Sequence, residues 1–155
     1  MLACAAPAVD SGAPPFTPTF GAWEADVGGT WEGDCALADS QTHQPPKQAW
    51  IVGAYRYGFS VRDVEGYWYG CAMDGQAFTC ELPVIADDFT SLGLDVHATY
   101  TPAWEGEFDS SSSLSGEYRV AAECTGADCD QLTGYGADFS FPCVAWTALS
   151  AVVVP

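Results

Sequence analysis

Positive charge is scarce in this chain. Only Lys47, Arg56, Arg62 and Arg119 carry it, against 21 Asp and Glu, for a net charge of −17. Nucleic-acid binding is excluded, because phosphate contacts need clustered Lys and Arg. Direct adsorption to anionic lipid headgroups is excluded for the same reason. Histidine is also rare. His43 lies in a polar, proline-flanked stretch, and His97 falls on the outward side of an alternating segment with no local partner for general-base work. No run approaches the ~20 apolar residues of a membrane-spanning helix. The apolar stretch Ala148–Pro155 is far shorter and reads as a last strand or a chain tail. Nucleophile elbows, H-E-x-x-H and glycine-rich phosphate or dinucleotide loops do not occur. The chain is therefore expected to be non-enzymatic, with no cofactor and no resident metal.

Apolar and turn-forming residues are abundant. Hydrophobic residues make up 48% of the 155, with six Trp, seven Tyr and eight Phe, so a folded core is expected rather than a disordered chain. Sixteen Gly and ten Pro punctuate the sequence. No segment sustains a 3.6-residue stripe over three turns. Short alternating runs instead predict strands at 30–36, 48–57, 58–64, 66–73, 76–82, 92–101, 104–109, 115–124 and 138–149. In Leu94–Tyr100 the residues Leu94, Val96, Ala98 and Tyr100 share one face, against Asp95, His97 and Thr99. The expected fold is all-β, an antiparallel meander closed as a small, lipocalin-like β-barrel or folded as a β-sandwich. Trp31-Glu32-Gly33-Asp34 and Trp104-Glu105-Gly106-Glu107 echo each other, with Trp toward the core and Gly at a bulge or close backbone approach. Residues 1–27, with Pro7, Pro14, Pro15 and Pro18, have linker composition, and a single β domain is expected over 28–155.

Seven cysteines are present, an odd number. Cys4 stands apart in the leader. Cys35, Cys80, Cys124 and Cys143 fall on the apolar side of predicted strands, the pattern of structural cysteines. Three disulfides are expected. Cys71 and Cys80 flank the Asp74-Gly75 hairpin signal and can face each other across it. Cys124 and Cys129 enclose a short polar loop, leaving Cys35 and Cys143 to join first strand to last. The rival use of Cys124 and Cys129 is zinc ligation, but the spacing is looser than in zinc knuckles and no second pair exists.

Acidic pairs such as Asp87/Asp88, Glu105/Glu107 and Asp128/Asp130 are plentiful, as chance allows in so acidic a chain. Asp128 and Asp130 offer oxygens for Ca²⁺ but lack the twelve-residue loop pattern. The bland reading of the charge is a solvated surface that keeps the protein soluble. Gly66–Cys71 (GYWYGC) sets Tyr67 and Tyr69 against Trp68 on opposite faces, one face core and one available, which makes these three the ligand-binding candidates. Most of the other rings, Trp31 and Trp104 among them, are expected to fill the core.

Leu2-Ala3-Cys4 resembles the end of a bacterial lipoprotein signal. That resemblance implies a diacylglyceryl group on Cys4, a proline-rich tether behind it, and the charged and apolar parts of the signal upstream of Met1. The body is similar to small acidic β domains of exported bacterial lipoproteins, and in general outline to the disulfide-containing β-barrel inhibitors of lysozyme. These resemblances imply an exported, envelope-located protein at the outer membrane or in the periplasm, touching the membrane only through the Cys4 lipid. It would serve as an interaction module for an unknown protein, glycan or small molecule. The alternatives are a small-molecule or glycan binder using an aromatic-lined barrel mouth, and an inhibitor of a basic secreted enzyme such as lysozyme.

Overall fold

The computed structural model describes residues 16–35, 47–135 and 141–155. Cys4 and His43 lie outside the described residues. Among the described residues ten strands form: β1 (Gly21–Val27), β2 (Glu32–Gly33), β3 (Lys47–Tyr55), β4 (Gly58–Arg62), β5 (Trp68–Asp74), β6 (Ala77–Glu81), β7 (Ile85–Asp88), β8 (His97–Ser110), β9 (Ser113–Thr125) and β10 (Cys143–Val153). Eight of them close an antiparallel barrel in the order β1, β3, β4, β5, β6, β8, β9, β10, with β10 returning to β1. The two short strands extend its long ones. β7 pairs with the start of β8, and β2 with the start of β10. Each of the eight ring strands has a paired neighbour on both sides, which guards the sheet against edge-to-edge pairing.

Alternation drives this arrangement. In β1, Trp23, Ala25 and Val27 are buried while Ala22, Glu24 and Asp26 are exposed. The barrel thus takes in residues 21–27, which composition assigns to the tether. The prolines upstream mask a seven-residue strand whose period of two is clear by itself. A second correction concerns 92–101 and 104–109, which form one strand, β8. Proline is expected to end a strand, yet Pro102 sits inside this one. It does so where the neighbour along that edge changes from β7 to β6. Its carbonyl accepts the Leu82 N–H at 3.1 Å, and no ladder donor is needed at that changeover. The short β7 is an addition, and residues 92–96 precede β8 as a 3₁₀ turn and loop.

Rings fill the barrel. Trp50 and Trp104 pack with centroids 4.4 Å apart, and Tyr69 meets Trp104 edge-on at 5.5 Å. Phe59, Phe78 and Phe108 form a second cluster with spacings of 5.2–5.6 Å, and Trp23 approaches Phe108 at 6.1 Å. Phe16 covers Phe108 at 5.1 Å. Buried Gln48 accepts the Trp50 indole N–H at 2.9 Å. A buried Trp side chain of this kind contributes about 3–5 kcal/mol when truncated to Ala.

All three disulfides are present: Cys35–Cys143, Cys71–Cys80 and Cys124–Cys129. Cys71 and Cys80 are directly paired across the β5–β6 hairpin, whose Asp74-Gly75 turn uses a glycine at φ 64°. Cys35–Cys143 spans 108 residues of sequence, for which the chain-entropy model gives about 4–5 kcal/mol. Three disulfides are consistent with folding in an oxidising compartment outside the cytoplasm.

Candidate functional site

The filled interior turns attention to the outer surface. Cross-strand register sets Ala22, Ile51, Arg62 and Trp68 in one row over β1, β3, β4 and β5, and Gly53, Ser60 and Gly70 in the next row over β3, β4 and β5. Tyr55 follows at the end of β3. The glycines leave space that aromatic rings occupy. A Cβ placed on Gly70 would stand 2.7 Å from the Tyr55 ring, and one on Gly53 would stand 3.5 Å from the Trp68 ring. Each ring therefore crosses diagonally over a glycine, from opposite ends, with Ser60 between them. Aromatic cover of strand glycines steadies a sheet, yet Tyr55 and Trp68 still keep 50% and 56% of their surface in solvent. Along β3, Ile51 and Tyr55 are separated by about 13 Å at ~3.3 Å per residue.

The patch continues toward β1. A cavity of about 380 Å³ lies at the β1–β3 seam, lined by Ala22, Glu24, Lys47, Ala49, Ile51 and Val154 among others. Its lining is mostly apolar, with Gln48 and the Lys47–Glu24 ion pair at 3.9 Å as its polar groups.

Charge marks the same face. No Asp or Glu stands between Asp39 and Asp63, and three of the four basic residues, Lys47, Arg56 and Arg62, fall in that interval. Arg56 lies over the Tyr57 ring at 5.2 Å, in the turn between β3 and β4. Neither Arg56 nor Arg62 has a carboxylate within ion-pair distance among the described residues, whereas Arg119 meets Glu105 at 3.8 Å. An unpaired guanidinium on so acidic a molecule is a donor fork open to an anion.

The sequence candidates distribute unevenly. Trp68 is on this face. Tyr67 is exposed at the β4–β5 turn, where its N–H donates to Asp63 Oδ1 at 2.9 Å. Tyr69 turns inward, and its hydroxyl donates to Asp63 Oδ2 at 2.7 Å. Burial first, and then this bond to Asp63, push the Tyr69 phenol well above the ordinary range. Trp68 thus separates from Tyr69, as alternation requires, whereas Tyr67 precedes β5 and is exposed rather than sharing the inward side of Tyr69. Tyr55, Ile51, Gly53, Gly70 and Arg62 were not among the candidates, because only register brings them together. The acid-free interval 40–62 is a signal for Ile51, Gly53, Tyr55 and Arg62, and Gly70 lies beyond it.

Elsewhere the expected residues serve local structure. Asp128 accepts the Asp95 N–H and the Gln131 amide, at 2.9 and 2.7 Å, while Asp95 accepts the Ala127 N–H at 2.9 Å. Both Asp128 oxygens are therefore engaged within the loop. Cys124 and Cys129 are bonded to each other and offer no thiolates. Among the described residues, no group of three or more His, Cys, Asp or Glu is placed to hold a metal ion. His97 lies on the outer side of β8 with Nδ1 at 3.7 Å from Asp88. Asp88 is held below the usual carboxylate range, first by the backbone and then by the side-chain hydrogen bonds from Thr90.

No protein-family model, curated protein or solved structure matches this chain. The physical case for a site therefore rests on the β3–β5 face: exposed rings seated over glycines, two unpaired guanidinium groups and an adjoining apolar cavity.

Proposed function

We propose that this chain is an exported, lipid-anchored, non-enzymatic binding module of the cell envelope, and that it contacts its partner through the outer face of β3, β4 and β5. The observation that carries the reading is the pairing of Tyr55 and Trp68 over Gly70 and Gly53, beside the stretch 40–62 that holds three of the four basic residues and no acid in a chain with net charge −17. Rings held over backbone lose little further freedom when a partner covers them, so their burial is repaid with small ordering cost. The interior supports the same choice, since a ligand in the barrel would have to displace Trp50 and Trp104. Leu2-Ala3-Cys4 supplies the lipidation site of the reading, and the three disulfides support its exported setting.

Two measurements test it. Intact-mass analysis of protein made from its native gene is expected to show the loss of three disulfides' hydrogens and a lipid adduct on Cys4. An unmodified Cys4 would remove the anchor. Retention of the Cys4→Ala chain, which carries no lipid, on isolated envelopes of the native host is expected to fall at least about tenfold when Tyr55→Ala and Trp68→Ala are added. Undiminished retention would remove this face from the reading.

A further inference from the structure

We propose that the β3–β5 face recognises an acidic polysaccharide, with sugar rings stacked on Tyr55 and Trp68 and carboxylates held by Arg62 and Arg56. The inference rests on the reading above and names the class of its ligand.

Three features point to this ligand. Tyr55 and Trp68 are broad, half-exposed surfaces on a closed sheet, without a free strand edge in the ring to pair with a peptide backbone. Sugar rings present flat C–H faces that suit such surfaces, and their hydroxyls suit polar groups set between them. Ser60 supplies such a group. Its hydroxyl lies 3.4 Å from the Ala54 carbonyl, a long contact that leaves its oxygen free as an acceptor.

Charge selects among sugars. Arg62 sits in the same row as Trp68 and Ile51, and its guanidinium reaches the β4–β5 turn, 3.3 Å from where a Gly66 Cβ would stand. Arg56 stands at the opposite end, beside Tyr57. The two basic groups therefore bracket the two rings. Carboxylates spaced along a polymer fit this alternation, and a guanidinium receives them with two parallel hydrogen bonds. The net charge of −17 does not forbid it. At physiological salt, charges farther than about 8 Å from the bound polymer are largely screened, so the two unpaired guanidinium groups dominate contact over the distant acids.

The test is calorimetric titration of the full chain at about 0.15 M salt with polygalacturonate, alginate and hyaluronate, and with fully methyl-esterified polygalacturonate as the neutral control. Binding to at least one acidic polymer is expected, about tenfold tighter for polygalacturonate than for its ester if that polymer binds. Trp68→Ala and Tyr55→Ala are expected to weaken it about tenfold each, with far-ultraviolet circular dichroism and a cooperative melt retained. Arg62→Gln is expected to weaken binding of the acid polymer, and Arg56→Gln/Arg62→Gln to bring it down to the level of the ester. No binding to any acidic polymer overturns the proposal, as do equal affinity for acid and ester or full binding by the two ring variants. Self-association by sedimentation, weakened by the same variants, would assign the face to a second copy of the chain and also overturn it. If the polymers fail while envelope retention still depends on Tyr55 and Trp68, only the ligand class falls; if that dependence is absent, the function reading falls with it.

Discussion

Two regions of the same barrel treat glycine and charge in opposite ways. On β8 and β9, Gly106 and Gly116 stand opposite each other, and a Cβ on either would run into the other strand's backbone. Glu105 faces Glu117 beside them, and Arg119 is drawn to Glu105. Like charges directly opposite cost stability and are tolerated where water reaches them. On β3–β5, Gly53 and Gly70 make room for rings, the stretch 40–62 carries no acid, and two guanidinium groups stay unpaired among the described residues. The first face uses glycine to bring strands together and charge to keep the molecule in solution. The second uses glycine to seat aromatic side chains and holds its charge open. One scaffold thus carries a solvated surface and a contact surface, and side chains alone distinguish them.

Substitutions at the four glycines sharpen that contrast. Gly106→Ala or Gly116→Ala should destabilise the protein most, by about 2–3 kcal/mol, because backbone rather than a flexible side chain must give way. Urea unfolding measures it, and a loss under about 0.5 kcal/mol would deny the close approach. Next comes Tyr69→Phe, expected to cost about 1 kcal/mol through the lost bond to Asp63. The folded-state pKa of Tyr69 is raised, so the unfolded chain ionises first as pH increases. Stability from this group is complete below the ordinary tyrosine value near ~10 and drains away above it. Thermal melts between neutral pH and pH ~11 should therefore fall less steeply in Tyr69→Phe than in the parent. Identical slopes would contradict the assignment.

Gly70→Ala should change stability by less than about 1 kcal/mol, since only the Tyr55 ring must move, yet it should weaken ligand retention as strongly as Tyr55→Ala. Gly53→Ala is expected to be the mildest. Its added Cβ meets Ser60 and Trp68 at 3.3 and 3.5 Å, and the stability change should stay within about 0.5 kcal/mol. If Gly70→Ala unfolds the protein as Gly106→Ala does, the two faces are not different in kind.

Much of the scaffold was legible because its signals are local. The Asp74-Gly75 turn places Cys71 against Cys80, and the alternation of Leu94–Tyr100 places Val96, Ala98 and Tyr100 inward. The glycines of the two Trp-Glu-Gly echoes, Gly33 and Gly106, are both close backbone approaches. β1 was hidden by the composition of its neighbours, and the continuity of β8 through Pro102 depends on a change of partner strand that no local pattern records. The binding face was the least legible part. Trp68 could be separated from Tyr69 by alternation, but its meeting with Gly53, and that of Tyr55 with Gly70, is set by the register of β3, β4 and β5.

The most direct test of the contact surface is hydroxyl-radical footprinting of the chain in intact native envelopes, compared with the same chain purified. The account requires Tyr55 and Trp68 to be protected in envelopes while Val84 and Leu92, equally exposed elsewhere on the barrel, stay reactive. Equal reactivity of Tyr55 and Trp68 in both preparations would contradict it.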